Sequence, residues 1–307
     1  MSVKHIGFNF KSKLDNLTID AMAVVPAGDI KGVVLIIHGM CEHKERYYDF
    51  MDYLANKGYL SVIHDNRGHG ESIMSKDDYG FFYKSGDVGL ISDAYQMLKL
   101  VKEKISDVPY IMIGHSMGSM IARCLIKKHD DEIDKLILLG SPSKAFGVEP
   151  CLLLCKLMEV IFGKKKHSKL LDYIVCNSIY EKRFKHEKLP HSWLSSDRRV
   201  VYDFNENPKC QFTFTISGYT ALLKLMINTY SKKGWKFNNK DLAIRFFSGK
   251  EDPCAIKPEL FGKSVHALKE VGYENVTANL YGGMRHEVLN ERDKSRVYKD
   301  IYDFIIE

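Results

Sequence analysis

Val108-Pro-Tyr-Ile-Met-Ile-Gly-His-Ser-Met-Gly-Ser-Met-Ile-Ala-Arg-Cys-Leu-Ile-Lys-Lys128 is the stretch that decides the fold. Its first third, Val108–Ile113, is short, apolar and rich in β-branched residues, the pattern of a parallel strand buried on both faces. From Ser119 to Lys128 the apolar residues recur at the spacing of one helical face. Between them lies Gly114-His115-Ser116-Met117-Gly118, a serine between two glycines at a strand-to-helix turn. Glycines there let the backbone turn tightly without a Cβ clash, so the Ser116 hydroxyl projects from the top of a sheet, as a nucleophile does. Gly-x-Ser-x-Gly alone is a weak signal; the strand before it and the helix after it make it a strong one.

Strands and helices alternate outward from this point. His5–Phe10 and Leu17–Val25 read as an opening hairpin with Asp15-Asn16 in its turn. Further strands are expected at Val33–Ile37, Leu60–His64, Tyr110–Ile113, Leu136–Leu139, Ala243–Phe247 and Val276–Leu280. Helices are expected at Glu45–Lys57, Val88–Lys104, Ser119–His129, Pro258–Val271 and Ser295–Ile306. The pattern is that of an α/β protein whose mostly parallel, eight-stranded sheet carries helices on both faces. Alternation stops between residues 143 and 225, where Cys151–Phe162 and Lys169–Ile179 read as amphipathic helices. An insertion after the sixth strand reads as a helical cap over the strand ends, where open α/β sheets bind ligands. The expected division is a core of residues 1–142 and 226–307 and a cap of residues 143–225.

Composition narrows the function classes. The chain has 307 residues, 45% apolar and 27% charged, with a net charge of +6, ordinary for a soluble globule and too weakly basic to argue for nucleic acid. No apolar run approaches the ~20 residues of a membrane helix, since the longest, Cys151–Phe162, is interrupted by Lys156 and Glu159. The first residues, Met1-Ser-Val-Lys-His-Ile-Gly-Phe8, lack the form of a signal peptide. Seven cysteines without regular spacing or a Cys-x-x-Cys pair read as reduced thiols of a cytoplasmic protein.

A serine needs a base to take its proton, and the base needs an acid to orient it. Asp252 follows the strand Ala243–Phe247, and His286 follows Val276–Leu280, so both fall in loops at the same sheet edge as Ser116. Each has an ordinary alternative, Asp252-Pro253 as a mere turn and His286 as a loop residue. Their shared position, and the order Ser, acid, His, favour a triad. Glu251 is the rival acid; His266 falls on an expected helix and makes a poor base. Oxyanion donors are expected from the backbone amides of Met117 and of Met40, the latter turned by Gly39. His38, His43, His64 and His69 read as loop-bracing partners, because no pair has the helical spacing of a zinc motif. Asp65-Asn-Arg-Gly-His-Gly-Glu-Ser72 lacks a phosphate-loop pattern and reads as a turn tied by Asp65 and Arg67.

Taken together, His38-Gly-Met-Cys-Glu-His43 with Arg46-Tyr47, the loop Asp65–Ser72, the Gly114–Gly118 turn, Ser248–Pro253 and Gly283-Met-Arg-His286 resemble α/β-hydrolases of the monoacylglycerol lipase and lysophospholipase type. The resemblance spans nearly the whole chain. It implies an α/β-hydrolase fold and a serine hydrolase that cleaves esters of single-chain acyl lipids without cofactor or metal. Ser116, Asp252 and His286 would be its triad, and the Met40 and Met117 amides its oxyanion hole. Trp193–Asp197 and Asn207–Thr215 are similar to cap segments of bacterial members. The chain departs from the family pattern at Cys254 and at Asn207-Pro208, which bears on substrate choice. Leu152, Leu157, Ile161, Phe162 and Phe212 are candidates for an acyl channel, or equally for the cap's own packing. Lys164, Lys165 and Lys166 read either as a solvated lysine-rich face or as a site of transient contact with an anionic membrane surface. A short-chain carboxylesterase, a peptidase, a C–C hydrolase and a non-catalytic ligand-binding module are the other readings that this scaffold allows.

Overall fold

Val33, Leu35 and Ile37 enter one hydrophobic core and Val34 and Ile36 the other, so a single strand is packed on both faces and has no polar side. The same alternation divides Tyr110 and Met112 from Ile111 and Ile113, and Leu136 and Leu138 from Ile137 and Leu139. The structure, a computed structural model, describes residues 2–255 and 258–307. In chain order the elements are β1 (Lys4–Lys11), β2 (Thr18–Val25), β3 (Gly32–Ile37), α1 (Tyr48–Asn56), β4 (Tyr59–His64), α2 (Gly86–Lys102), β5 (Tyr110–His115), α3 (Met117–His129) and β6 (Lys135–Leu139). There follow α4 (Val148–Phe162), α5 (Lys169–Asp172), α6 (Ser178–Phe184), α7 (Arg198–Glu206), α8 (Ile216–Tyr230), β7 (Ala243–Gly249), α9 (Pro258–Glu270), β8 (Val276–Tyr281) and α10 (Lys294–Ile306).

These strands form one eight-stranded sheet in the order β1-β2-β4-β3-β5-β6-β7-β8. β1 pairs antiparallel with β2, and β2 antiparallel with β4; every later pairing is parallel. Helices α1 and α10 supply Phe50, Leu54, Tyr298 and Ile301 to one core, and α2, α3 and α8 supply Met97, Ile121 and Leu225 to the other. Each expected strand is present within two residues of its reading.

The segment between β6 and β7 differs more from expectation. Lys169–Ile179 is not one uniform helix: α5 passes through a π-helical turn, Tyr173–Asn177, into α6. Two helices had no counterpart in the sequence reading. α7 is capped by Asp197, whose carboxylate accepts from the Arg199 amide at 3.0 Å. α8 is capped by Thr215, whose hydroxyl accepts from the Gly218 amide at 3.1 Å. α8 packs against α4 on one side and α2 and α3 on the other, so it is apolar around most of its circumference and shows little periodicity. The expected boundary between residues 225 and 226 therefore falls inside a helix.

Three buried histidines beside the strand ends couple this core to pH. Burial, with the Arg67 charge adding, lowers His64 to about 4, and burial lowers His69 to about 4 as well. Burial and the nearby His69 push His38 down too. A base whose folded value lies below its unfolded ~6.5 takes up a proton on unfolding, so each removes about 1.4 kcal/mol of stability per pH unit as pH falls through that window. Resistance to urea should therefore fall steadily from pH 6.5 to 5, and His64→Phe should flatten the slope by about one proton. A profile without pH dependence there would contradict the neutral, buried assignment.

Candidate active site

Ser116 stands between the last residue of β5 and the first of α3 with φ 51° and ψ −116°. A non-glycine residue in this region is strained, and the strain persists only where the surroundings fix it. The Ser116 amide donates to the Leu139 carbonyl on β6 at 2.9 Å. On the other side α3 presses onto the end of β3, where a Cβ on Gly118 would lie 2.0 Å from the Ile37 carbonyl oxygen. No side chain fits there, so glycine is required. Met117 opens α3, where the first N–H groups have no acceptor within the helix.

β7 and β8 deliver the other two groups. The Asp252 carboxylate accepts from the Cys254 amide at 2.8 Å and from the Ser248 hydroxyl at 3.2 Å. His286 places Nδ1 3.0 Å from both Asp252 oxygens, and both side chains are buried. That contact fixes the ring, which also packs against His115 and Trp193 at centroid distances of 4.8 and 5.1 Å. The rival groups stand elsewhere. Glu251 is half-buried, its amide donating to the Met284 carbonyl at 3.0 Å, and His266 is an exposed residue of α9 near Glu270.

Ser116, Met40, Met117 and His286 line one cavity of about 740 Å³, within the range of small-molecule sites. Its remaining walls come largely from the β6–β7 segment, with Val148, Cys151, Val175, Tyr180, Leu222 and Met226 among them. Phe212 lines it as expected. Leu152, Leu157, Ile161 and Phe162 do not, and this corrects their reading as channel residues. α4 turns Val148, Cys151, Leu152 and Cys155 towards the body of the protein, and Leu152 packs on the core. Leu157 and Ile161 lie on the opposite face, 56% and 61% exposed, and Phe162 is the last residue of the helix, 50% exposed. The helix is apolar on both faces, so periodicity could not tell inside from outside.

Cys254 marks a further departure. Its thiol lies 3.9 Å from His286 Nε2, and burial together with the Asp252 charge raises it well above the ordinary thiol range. Asp252, Cys254 and His286 could together offer a metal three ligand atoms within 4.8 Å of one another, although Asp252 and His286 are already bonded to each other. The other histidines brace loops. His38 accepts from the Asn66 amide at 2.9 Å, His69 contacts the Arg67 carbonyl at 3.1 Å, and His43 contacts Asn207 at 2.9 Å. His64 differs: it ends β4, and neither ring nitrogen has a partner. The loop Asp65–Ser72 is tied as expected, Asp65 to Lys44 at 2.7 Å and Arg67 to Asp15 and Asp93 at 2.7 and 2.8 Å. Glu42, Arg46, His115 and Glu287 were given no role by the sequence reading, although Glu42 and Arg46 lie in its quoted motif; here they form one buried cluster around the site.

Comparison with known proteins gives the family. The serine aminopeptidase, S33 family matches residues 28–293, and the chain belongs to that family. It is 28% identical to a monoglyceride lipase homolog of Monkeypox virus over 97% of both chains. It is 24% identical to a monoacylglycerol lipase of Mycolicibacterium smegmatis over 92% of this chain and 90% of that one. A thermostable carboxyl esterase from Bacillus coagulans, solved with glycerol, superposes with a TM-score of 0.88 at 27% identity, covering 98% of this chain and 97% of that one. The protein is thus an α/β-hydrolase of the monoacylglycerol lipase type, a serine ester hydrolase.

The two candidate acids can be told apart by substitution. Asp252→Asn should lower kcat by about 10⁴-fold by favouring the wrong histidine tautomer. Glu251→Gln should stay within about two-fold of wild type, as a change away from the reacting groups does. Steady-state hydrolysis of a soluble aryl ester measures both, and the reverse ranking would reassign the acid.

Proposed function

We propose that the protein hydrolyses carboxylic esters of single-chain acyl lipids through an acyl-enzyme on Ser116. The observation that carries this is a strained serine opening on a largely apolar cavity that His286, oriented by buried Asp252, also lines. Ser116 Oγ attacks the ester carbonyl while His286 Nε2 takes its proton, and Asp252 stabilises the resulting imidazolium. The amides of Met40 and Met117 receive the oxyanion. The tetrahedral intermediate collapses, His286 returns the proton to the leaving alcohol, and water repeats the sequence on the acyl-enzyme.

In this reading residues 143–225 are the cap, and Val148, Val175, Leu222 and Met226 surround the acyl chain. The outer face of the cap meets lipid. Phe146, Leu153 and Val160 are 96%, 70% and 85% exposed, and large apolar side chains grouped on a surface are what an interaction site presents. Lys164 and Lys166 stand at its edge, whereas Lys165 is paired with Asp78 at 2.8 Å. Seven free thiols fit a reducing compartment, and no helix among the described residues is long and apolar enough to cross a membrane.

Hydrolysis of a panel of monoacylglycerols, lysophospholipids and short aryl esters tests the reading. Activity should climb with acyl length, each methylene contributing up to ~0.8 kcal/mol until the cavity is full, and then fall. Ser116→Ala should abolish it throughout. A folded protein that cleaves peptides but no acyl ester would overturn the assignment. On anionic vesicles, the double variant Leu153→Ser, Val160→Ser should be slowed about ten-fold or more, by loss of buried apolar area, and should match wild type on soluble esters. Equal rates on vesicles would remove the membrane-facing role of α4.

A further inference from the structure

The loop after β3 carries an oxyanion donor, and both sides of its key residue are pinned by side chains that the chemistry does not use. Glu42, 2% exposed, folds back along its own loop. One carboxylate oxygen accepts from the Gly39 amide, from His115 Nδ1 at 2.8 Å and from the Tyr47 hydroxyl at 3.0 Å. The other accepts from Arg46 at 3.3 Å. Arg46 in turn grips Glu287, the neighbour of His286, with two bonds of 2.6 and 2.7 Å. One buried carboxylate thus touches the oxyanion loop and the residue before the nucleophile, and reaches the residue after the base through a single guanidinium.

The other side of Gly39 is held by His38. Asn66 donates its amide to His38 Nε2 at 2.9 Å, so that nitrogen is unprotonated and the proton of the neutral ring sits on Nδ1. Nδ1 then donates to the Gly39 carbonyl at 2.8 Å. In a trans peptide C=O and N–H point in opposite directions, so fixing the Gly39 carbonyl fixes where the Met40 N–H points. Contact with the nucleophile is direct: a Cβ on Gly39 would lie 3.0 Å from Ser116 Cβ and 2.6 Å from the Glu42 carboxylate. Burial alone would raise Glu42, but the charges of His115 and Arg46 hold it well below the usual carboxylate range, and Glu42 correspondingly keeps His115 raised. Charge-assisted bonds in a dry site are the strong ones, so this ion cluster is stiff.

We propose that Glu42 is a positioning residue, which with His38 clamps the Gly39 backbone so that the Met40 amide faces the developing oxyanion, and which through Arg46 and Glu287 holds the His286 loop in register with it. The inference rests on the serine-hydrolase reading above and goes beyond it.

The test compares wild type, Glu42→Gln and Glu42→Ala with a soluble aryl ester and two inhibitors of equal chain length. An alkyl trifluoromethyl ketone takes the Ser116 oxygen at its carbonyl carbon and becomes an oxyanion; the corresponding alcohol cannot. Losing one oxyanion donor costs about 10²–10³ in kcat, so Glu42→Ala should lose about 100-fold and Glu42→Gln, which keeps an acceptor but not the charge, about 10-fold. KM and alcohol binding should stay within about three-fold, and ketone binding should weaken in step with kcat. A folded variant that keeps kcat overturns the proposal, and so does a raised KM with kcat kept, which would put Glu42 on the substrate. Equal weakening of ketone and alcohol overturns it as well, since that marks a general disturbance of the cavity. If Glu42→Ala does not fold, Glu42→Gln decides on the same criteria. A wild type that fails to react at Ser116 removes the reading and the proposal together, whereas an active wild type with unaffected variants removes the proposal alone.

Discussion

Everything at the site depends on one strained residue being held still. Ser116 keeps a left-handed backbone because β5 is locked between β3 and β6 and because α3 can lie against the end of β3 only where Gly118 has no side chain. Loosening either support would let the turn relax to an ordinary conformation and swing the hydroxyl away from the cavity. The central strands are buried on both faces, so the supports are among the best packed parts of the molecule. Strain at Ser116 is thereby stored against a hydrophobic core rather than against a flexible loop.

Buried charge does a second kind of holding. Arg285 donates to the Ser192 carbonyl and to the Ser195 carbonyl at 3.2 Å, and pairs with Glu187, while the Glu287 amide donates to the Leu194 carbonyl at 2.8 Å. Across the cavity, Lys209 bridges Glu45 and Glu71 at 3.0 and 2.8 Å, and Asn207 meets His43 at 2.9 Å. The segment between β6 and β7 is thus fastened to the core on two sides of the cavity by residues adjoining the reactive loops. Replacing one partner of the Arg285–Glu187 pair leaves the other charge largely buried, a costly change, so that contact defines the shape of the site more than it adds net stability.

Much of this was legible in the sequence, for reasons that differ by element. Strands such as Val33–Ile37 announce themselves because burial on both faces demands an unbroken apolar run. Ser116, Asp252 and His286 were singled out by position and order, and the structure brings Asp252 against His286 and sets Ser116 and His286 on one cavity. The segment between β6 and β7 was less legible. α8 lies between other helices and so lost its periodicity, and α4 carries apolar residues on its exposed face as well as on the face that meets the protein, so the pattern did not tell them apart. Glu42 and Arg46 stood in a quoted motif without a role, since a carboxylate four residues before an arginine suggests only a surface pair until the fold buries both and brings Glu287 to them.

The most direct test of the account is where a covalent intermediate forms. Reacting the intact protein with a fluorophosphonate and mapping the adduct by mass spectrometry of its peptides locates the activated nucleophile. The account predicts one adduct per chain, on Ser116, lost in Ser116→Ala and strongly slowed in His286→Ala. An adduct on another serine, or none on a folded protein, would contradict it.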